Sequence, residues 1–368
     1  MLGVVLTTVH VADVLVGYAE NFRHFRHSDV FFVVVADRET CVKSNLRVAE
    51  TIRGLGFPCY FLSVEKQLEW LRDYPELDLM VPWYSDNRRN IGYLFAVEQG
   101  ATELLVVDDD NAVMKDVDCY ECHVAGLRKK DKAVYVAPVN NWFNPCLMLK
   151  YNLAFAYPVY MRGYPFMKRF LDAYTLNNDG GGTVAVNVGL WTGSPDVDCL
   201  THLMFPGLTA RHLKSEWVKG VALSEGVYAP INTQNTCFLA EVLPAFYFWR
   251  MFRGMSWFGD VYAGLFLRHI LDQLGYTVQY GWPLSLHIRG DRDEVEQLRN
   301  QAKTIQFHEE LCQVIPSISL SAGGFADATL ELIGKLGLWK WRVKWADWYI
   351  QRIARNMMVW VEACDNVM

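Results

Sequence analysis

Short apolar runs alternate with amphipathic stretches along the first half of the chain. The run at 30–36, Val-Phe-Phe-Val-Val-Val-Ala, contains no polar residue, which is typical of a strand buried on both faces of a parallel sheet. The apolar runs predict strands at 4–8, 30–36, 59–62 and 103–107. Apolar spacings of three and four predict helices at 12–25, 42–55 and 87–99. This alternation predicts an α/β fold with a Rossmann-like, mostly parallel sheet flanked by helices.

The middle of the chain is less regular. Residues 138–230 are rich in Asn, Gly, Pro and aromatic residues, which predicts loops that wrap a substrate over a rigid sheet. Within them, Gly180–Gly182 is interpreted as a substrate loop or as a flexible turn, and no Lys-Ser or Lys-Thr follows it as in a phosphate loop. A helix at 260–274 and a strand that starts near 276 and ends at His287 are predicted next.

The C-terminal part has a helical pattern of its own. Apolar residues recur there at alternating spacings of four and three, which predicts one helical stripe interrupted only by Gly334 and Gly337. The stripe consists of Leu332, Leu336, Trp339, Val343, Ala346, Ile350, Ile353, Met357 and Trp360. We therefore predict a domain at 1–315 and a C-terminal amphipathic, Trp-rich helical segment at 316–368.

Two interpretations of this segment stay open. The stripe suits a helix that packs on the rest of the chain or on a second subunit. Basic side chains and a second line of tryptophans also suit a segment that lies on a membrane surface, with peripheral contact through residues 329–362. The residues concerned are Lys335, Lys340, Arg342, Lys344, Arg352, Arg355, Trp341, Trp345 and Trp348.

Composition narrows the function classes. The 368 residues carry a net charge of −6, so the chain lacks the basic surface of a nucleic-acid-binding protein, and we expect no nucleic-acid partner. The nine cysteines are scattered, and the first residues carry no basic region of a secretory signal, so we expect reduced thiols and a cytoplasmic location. Cys119-Tyr-Glu-Cys122-His123 matches a haem-attachment spelling, but without a second such pair a structural role is favoured.

An acidic triplet, Asp108–Asp110, follows the predicted strand at 103–107. Carboxylates clustered at the end of a buried strand repel one another, and a divalent cation removes that penalty. Oxygen ligands suit Mg²⁺ or Mn²⁺, and such an ion can neutralise a departing diphosphate. The triplet also contains the Asp-x-Asp pattern of enzymes that use nucleotide sugars. It therefore predicts a metal and diphosphate site.

Further polar residues are predicted at the same rim, because ligands of such sheets lie at the carboxyl ends of strands. Thr7 and Thr8 end the first strand and Asp37 follows the second, so we predict that they read a uracil-like base and its ribose. Arg88 or Arg89 opens the helix before the triplet, where an arginine can clamp a diphosphate through paired N–H donors.

For three residues in the later part of the chain, the sequence leaves more than one role open. Arg162 stands beside Gly163, where it could approach a phosphate or a sugar closely. Asp260 is either the N-cap of a helix or a carboxylate that faces the sugar. His287, at a strand end, is either a metal ligand or a histidine with its hydrogen bonds satisfied.

Taken together, these segments resemble the reversibly glycosylated polypeptides, a family that includes the UDP-arabinopyranose mutases. Arg162-Gly-Tyr-Pro-Phe166 is similar to the segment that carries the family's arginine of reversible glycosylation. Other similar segments are the triplet Asp108–Asp110, Arg89, Gly189-Leu-Trp191 with Pro195-Asp-Val-Asp198, Asp260 ahead of Tyr262-Ala-Gly264, and His287. The chain departs from the family where it has Gly259-Asp260 in place of an acidic pair and Arg88-Arg89-Asn90 in place of Cys-Arg-Cys.

The resemblance implies a glycosyltransferase A-type fold, a UDP-sugar ligand, Mn²⁺ or Mg²⁺ as cofactor, and homo-oligomers in the cytoplasm or at the Golgi surface. The mechanism hypothesis that follows predicts that Asp108, Asp110 and His287 hold the metal, that Arg89, Asp108 and Asp109 bind the nucleotide sugar, and that Arg162 and Asp260 are catalytic. Three functions stay open. The chain is a UDP-sugar mutase, a transferase that moves the sugar to an external acceptor with Asp260 as base, or a non-catalytic UDP-sugar-binding scaffold.

Overall fold

A computed structural model of the chain describes residues 1–128, 134–153, 158–171, 173–178, 182–252, 255, 258–290 and 292–368. Most of the predicted turn at 180–182 lies outside these residues. The strands are β1 (Leu2–Thr8), β2 (Val30–Ala36), β3 (Cys59–Leu62), β4 (Glu103–Val107), β5 (Asn111–Val113), β6 (Tyr135–Pro138), β7 (Leu149–Tyr151), β8 (Tyr174–Asn177), β9 (Thr183–Gly193), β10 (Ala210–Leu213), β11 (Val221–Leu223), β12 (Asn235–Leu239) and β13 (Tyr276–His287).

The helices are α1 (Val14–His24), α2 (Val42–Gly54), α3 (Val64–Trp70), α4 (Pro75–Met80), α5 (Arg89–Glu98), α6 (Cys119–Val124), α7 (Cys199–Met204), α8 (Gly259–Gln273), α9 (Glu294–Val314), α10 (Phe325–Leu338) and α11 (Ala346–Val367). Short 3-10 helices lie at Leu71–Asp73, Asp86–Arg88, Pro145–Met148, Phe166–Lys168, Ser215–Trp217, Ala240–Ala245 and Ile315–Ser317.

One sheet organises the molecule, with the strand order β3-β2-β1-β4-β12-β9-β13-β11-β6-β8. The first four strands are parallel, β12 is antiparallel to both β4 and β9, and β13 is parallel to β9. Because β12 runs opposite to both β4 and β9, β9 has the same direction as β4. β13 is parallel to β9, so β9 and β13 point the same way as β1 and β4. The carboxyl ends of these four strands therefore meet at one edge of the sheet, where the site is built.

The predicted α/β class, with its mostly parallel central sheet and C-terminal helices, is confirmed. All seven residues of β2 are buried, as its uninterrupted apolar run predicts for a strand covered on both faces. The helix predicted at 87–99 is shorter, because Asp86–Arg88 forms a 3-10 turn before α5 begins. The long strand β9 and the long helix α9 were not predicted.

The prediction of one C-terminal stripe interrupted only by two glycines is wrong. Gly334 and Gly337 both lie inside α10, and the break falls later, between α10 and α11. The carboxylate of buried Glu310 accepts hydrogen bonds from the backbone N–H groups of Arg342 (2.8 Å) and Val343 (3.1 Å), which stabilises this turn.

The apolar stripe packs against the rest of the chain. α11 contacts α4 and α5, and α10 contacts the 3-10 helix at Ala240–Ala245. Ile350, Met357 and Trp360 are fully buried, and the Trp360 indole N–H donates to the Leu243 carbonyl at 2.9 Å. These contacts favour the packing interpretation over membrane contact through 329–362. The boundary between 1–315 and 316–368 stays a prediction.

In the part of the chain that the structure describes, we find no helix that is long and apolar enough to cross a membrane. All nine cysteines are unpaired thiols. Both ring nitrogens of buried His123 lie 3.0 Å from side-chain amides, those of Asn187 and Asn235, so this histidine has a structural environment.

Candidate active site

A cavity of about 260 Å³ lies at the edge where the strands β1, β4, β9 and β13 end. Its walls combine carboxylates with several cationic side chains. They include Thr7, Asp86, Arg89, Asp108, Asp109, Asp110, Arg162, Asp196, His202, Asp260, His287, Arg289, Arg292 and Gln301. Of the predicted strand-end residues, Thr7, the triplet Asp108–Asp110 and His287 thus share one cavity with residues from loops and from α8 and α9, whereas Thr8 and Asp37 do not line it.

Asp108 forms an ion pair with Arg89, whose Nη2 lies 2.8 Å from the Asp108 Oδ1. Arg89 is itself buried, and it also donates to the Thr233 hydroxyl and to the Asp86 carbonyl. Burial raises the pKa of Asp108 to about 6, although Arg89 opposes the rise and Asp110 adds to it. The Arg89 guanidinium therefore already neutralises one carboxylate of the triplet.

The other predicted arginine lies elsewhere. Arg88 is fully buried, donates to the Gln67 side chain and the Val81 carbonyl, and stacks on Trp83 at 3.3 Å from the ring centre. Of the two alternatives at the start of α5, Arg89 lines the cavity and Arg88 supports the fold.

Asp109 is held by the strand next to it. The Thr8 hydroxyl donates to Asp109 Oδ2 and accepts from the backbone N–H of His10 at 2.7 Å. Thr7 lines the cavity, and its hydroxyl oxygen is buried without a hydrogen-bond partner among the described residues. The prediction that Thr7 contacts a ligand therefore has an available polar atom, whereas Thr8 positions Asp109.

Asp37 is buried behind the cavity and is not among the residues that line it. Its carboxylate accepts from the backbone N–H groups of Arg38 (2.6 Å) and Ser85 (3.2 Å). These bonds fix the loop that precedes α5. A contact of Asp37 with base or ribose stays a prediction.

Asp110 and His287 come together across the paired strands β5 and β13. The His287 Nε2 lies 3.3 Å from Asp110 Oδ2, and its Nδ1 lies 2.7 Å from the Ser194 carbonyl oxygen. A carbonyl only accepts, so Nδ1 carries a proton, and a neutral His287 presents the Nε2 lone pair to a carboxylate. Two lone pairs that face each other need a cation between them, either a proton on Nε2 or a metal ion.

The pKa values are consistent with this pairing. Burial lowers the pKa of His287, but the Asp110 carboxylate outweighs it, so that the pKa is raised above its ordinary value. Burial raises the pKa of Asp110, but the His287 imidazole more than offsets this effect, so that the pKa of Asp110 lies below its ordinary value. The pair thus prefers a positive charge between its members.

The predicted metal set is only partly assembled. Among the residues that the structure describes, no three or more His, Cys, Asp or Glu side chains converge as a ready metal site. Asp110 and His287 face each other, whereas Asp108 turns one oxygen to Arg89. The donor chemistry suits Mn²⁺ or Mg²⁺, which often take one or two protein ligands and complete their shell with substrate phosphates.

Arg162 joins two carboxylates that are far apart in sequence. Its Nε and Nη2 donate to Asp196 at 2.8 and 3.1 Å, and its Nη1 and Nη2 donate to Asp260 at 2.9 and 2.7 Å. All three side chains are at least nine-tenths buried. Burial alone would lower the pKa of Arg162, but the two carboxylates raise it well above its ordinary value. The guanidinium is therefore permanently protonated.

The local backbone geometry explains how Arg162 and Asp260 come together. Gly163 has φ +86°, a turn that suits glycine and lets the chain pass close to Val261 at the start of α8. Asp260 lies in the first turn of α8, accepts the Val261 N–H at 2.9 Å and faces the cavity. The N-cap position belongs to Phe258, so the N-cap alternative for Asp260 is wrong.

Several cavity residues had not been singled out. Asp196 lies in the Pro195-Asp-Val-Asp198 segment that resembles the family, a segment for which the sequence predicts no role. Arg289 and Arg292 follow His287 closely, and Arg292 interacts electrostatically with Asp110 and Asp196. Gln301 lies on the unpredicted helix α9, and no motif in its own sequence neighbourhood marks it as a site residue.

A model of the family described as reversibly glycosylated polypeptide matches residues 2–368. The chain belongs to the reversibly glycosylated polypeptide family. The resemblance predicted from the motifs is thereby confirmed over nearly the whole length.

Similar proteins of this family have been curated in plants. A probable UDP-arabinopyranose mutase 2 of Solanum tuberosum is 27% identical over 76% of this chain and 70% of its own length. A probable UDP-arabinopyranose mutase 4 of Arabidopsis thaliana is 24% identical over 100% of this chain and 91% of its own length. Among solved structures, the mannosyltransferase PcManGT of Pyrobaculum calidifontis in complex with GDP-Man and Mn²⁺ is similar with 11% identity and a TM-score of 0.34, over 99% of this chain and 86% of its own.

Proposed function

We propose that this member of the reversibly glycosylated polypeptide family is a metal-dependent enzyme that acts on a UDP-sugar, as a mutase that isomerises the sugar ring. The curated relatives, named as UDP-arabinopyranose mutases, support the substrate class and the reaction. The observation that carries the proposal is the Asp110–His287 pair, whose facing lone pairs call for a cation at the end of the acidic triplet.

Asp110 and His287 would hold Mn²⁺ or Mg²⁺, with Asp108 as a candidate third ligand through the oxygen that does not contact Arg89. When bound, such an ion supplies positive charge to the diphosphate leaving group. The Ser194 carbonyl fixes the orientation of the His287 ring through Nδ1. Arg89 also lines the cavity, where its charge offsets that of Asp108.

Arg162 and Asp260 would act at the sugar. The Arg162 guanidinium stays protonated between two carboxylates, so it serves as an electrostatic and positioning group and is a poor nucleophile. Covalent glycosylation of Arg162 would require that it first release Asp196 or Asp260. Asp260 has both oxygens engaged by Arg162, so its service as a base would likewise require that bond to open.

A mutase reaction needs no co-reactant. The bond between the anomeric carbon and the diphosphate oxygen breaks. A different sugar hydroxyl then bonds to the anomeric carbon and loses its proton, while the bond from that carbon to the former ring oxygen breaks and this oxygen takes up a proton. The diphosphate oxygen finally bonds to the anomeric carbon again. A transferase shares the first step but needs an acceptor hydroxyl. A scaffold performs neither step.

Incubation of the protein with a UDP-sugar, with Mn²⁺ and without acceptor, tests the proposal. We expect an isomeric UDP-sugar, separated by chromatography, and a thermal shift with UDP that requires Mn²⁺. Asp110→Asn should abolish both effects, whereas Asp365→Asn, an exposed residue on α11, should change neither.

Other outcomes identify the alternatives. Turnover that appears only when an acceptor is added would replace the mutase by a transferase. A Mn²⁺-dependent shift with UDP but no product under any condition would indicate the scaffold. The absence of any shift with UDP in the wild type would overturn the proposal as a whole. A cytoplasmic location and a homo-oligomeric state stay predictions.

A further inference from the structure

Gln301 occupies an unusual position for a glutamine. It lies on α9, lines the cavity that holds Arg162 and Asp260, and is only 4% exposed. Its Oε1 is buried and accepts no hydrogen bond from any residue that the structure describes. The Gln301 side chain thus borders the candidate site and carries a buried polar atom that has no partner among the described residues.

A buried amide oxygen without a hydrogen-bond donor destabilises the folded protein unless water or a ligand supplies the donor. A buried polar atom without a partner costs about 1–3 kcal/mol, and nearly all such atoms in folded proteins are satisfied by protein, water or ligand. The oxygen and nitrogen of an amide are interchangeable by a flip, so one end of the Gln301 amide lacks a partner in either orientation. Methionine would fill the same volume without this cost.

The charged groups of the same cavity are hydrogen bonded to one another. Arg162 donates to Asp196 and Asp260, and Asn232 donates to Asp196 at 2.9 Å. None of these groups donates a hydrogen bond to the Gln301 Oε1.

The helix that carries Gln301 is held firmly against the Arg162 loop. The Asp293 side chain caps its start, accepting two backbone N–H groups at 3.0 Å. Further along, His308 Nε2 donates to the Gly163 carbonyl at 2.6 Å, and Glu309 accepts the Phe166 N–H at 2.7 Å. Gln301 therefore lines the cavity from a helix that is fixed at several points, which suits the recognition of a ligand.

We propose that Gln301 binds a hydroxyl group of the sugar in the bound UDP-sugar and so determines which sugar the site accepts; this rests on the proposed function. A hydroxyl both donates and accepts, so it complements an amide in either orientation. A site built to bind a hydroxyl rejects the analogue that lacks it, because the amide is then left unpaired.

Calorimetry with Mn²⁺ tests the role of Gln301 on the whole chain, with UDP, a UDP-sugar and its monodeoxy analogues as ligands. In the wild type, we expect one deoxy analogue to bind about 10-fold more weakly than the parent UDP-sugar. In Gln301→Met, parent and analogue should bind alike, and UDP should bind as in the wild type. Gln306→Met, at an exposed position of α9, is the matched control and should keep the discrimination.

Each contrary result points elsewhere. A wild type that binds all deoxy analogues equally would overturn the proposal without any variant. A Gln301→Met protein that melts higher and keeps the discrimination would show that the amide held only a water molecule, which also overturns it. A wild type that fails to bind UDP would instead overturn the proposed function.

Discussion

Replacing Arg162 by methionine should show how much the buried charge cluster contributes to stability. The substitution keeps most of the volume but leaves Asp196 and Asp260 as buried carboxylates without their cation. Among the described residues, Asp196 still accepts from Asn232 and Asp260 still accepts from the Val261 N–H, and Arg292 and His287 still act on Asp196 electrostatically. Removing one partner of a buried ion pair costs about 3–5 kcal/mol, so we expect a loss of that size at pH 7.

The loss should depend on pH. Burial raises the pKa of Asp196, but in the wild type Arg162 and Asn232 outweigh it and hold the pKa below its ordinary value. That carboxylate thus stabilises the wild type above its unfolded pKa of about 4, and the stabilisation is lost as pH falls through the lower folded value. In Arg162→Met burial dominates and raises the pKa of Asp196, so the variant regains stability as pH falls. The gap between the two proteins should therefore narrow from pH 7 towards pH 4.

Urea unfolding followed by tryptophan fluorescence measures this gap. The double variant Arg162→Met/Asp196→Asn should recover at least about 1 kcal/mol relative to the single variant, because one uncompensated charge is gone. A loss below about 1 kcal/mol at pH 7, a gap that stays constant with pH, or no recovery in the double variant would refute the reasoning.

Three further substitutions address the surrounding packing. Gly163→Ala should lower the melting temperature more than Gly207→Ala, since both glycines have positive φ but only the Cβ at 163 would meet Val261, at 2.5 Å; equal effects would contradict the steric reason. Glu310→Gln should cost about 1–3 kcal/mol in urea unfolding, because its carboxylate accepts two backbone N–H groups of the α10–α11 turn. Trp360→Ala should cost about 3–5 kcal/mol in the same assay, and a negligible loss would contradict the packing of α11 on the core.

The strands that could be predicted well from the sequence are those in which burial alone determines the pattern of apolar residues. In β2 every residue is buried, so the apolar run marks the strand from end to end. In β9 the pattern is mixed, because Asn187 lies inside the strand and is buried through hydrogen bonds to His123 and to the Trp282 carbonyl. A polar residue satisfied by distant partners is indistinguishable in sequence from a loop residue.

The same reason hid α9. Its buried positions include Gln301, Thr304, His308 and Glu310, so its inner face does not read as apolar. Its N-cap, Asp293, followed by acidic residues in the first turn, was the signal that could have revealed it.

Residues at strand ends could be placed from sequence, but their partners could not. The direction of strands puts Asp110 and His287 at one edge, whereas the pairing of Arg162 with Asp196 depends on how a glycine turn and a loop meet. The arginines thus looked available for a diphosphate, and the structure shows that Arg89 and Arg162 are already engaged by carboxylates.

Three consecutive residues of α9 face in different directions and bind different parts of the chain. His308 and Glu309 hold the loop of Arg162, and Glu310 holds the turn before α11. The C-terminal helices α10 and α11 contribute no side chain to the cavity. They are nevertheless connected to it through α9, which lines the cavity and binds the turn between α10 and α11. One helical turn thus joins the C-terminal helices to the loop that carries Arg162, and we expect a substitution that displaces Glu310 to affect the position of that loop as well.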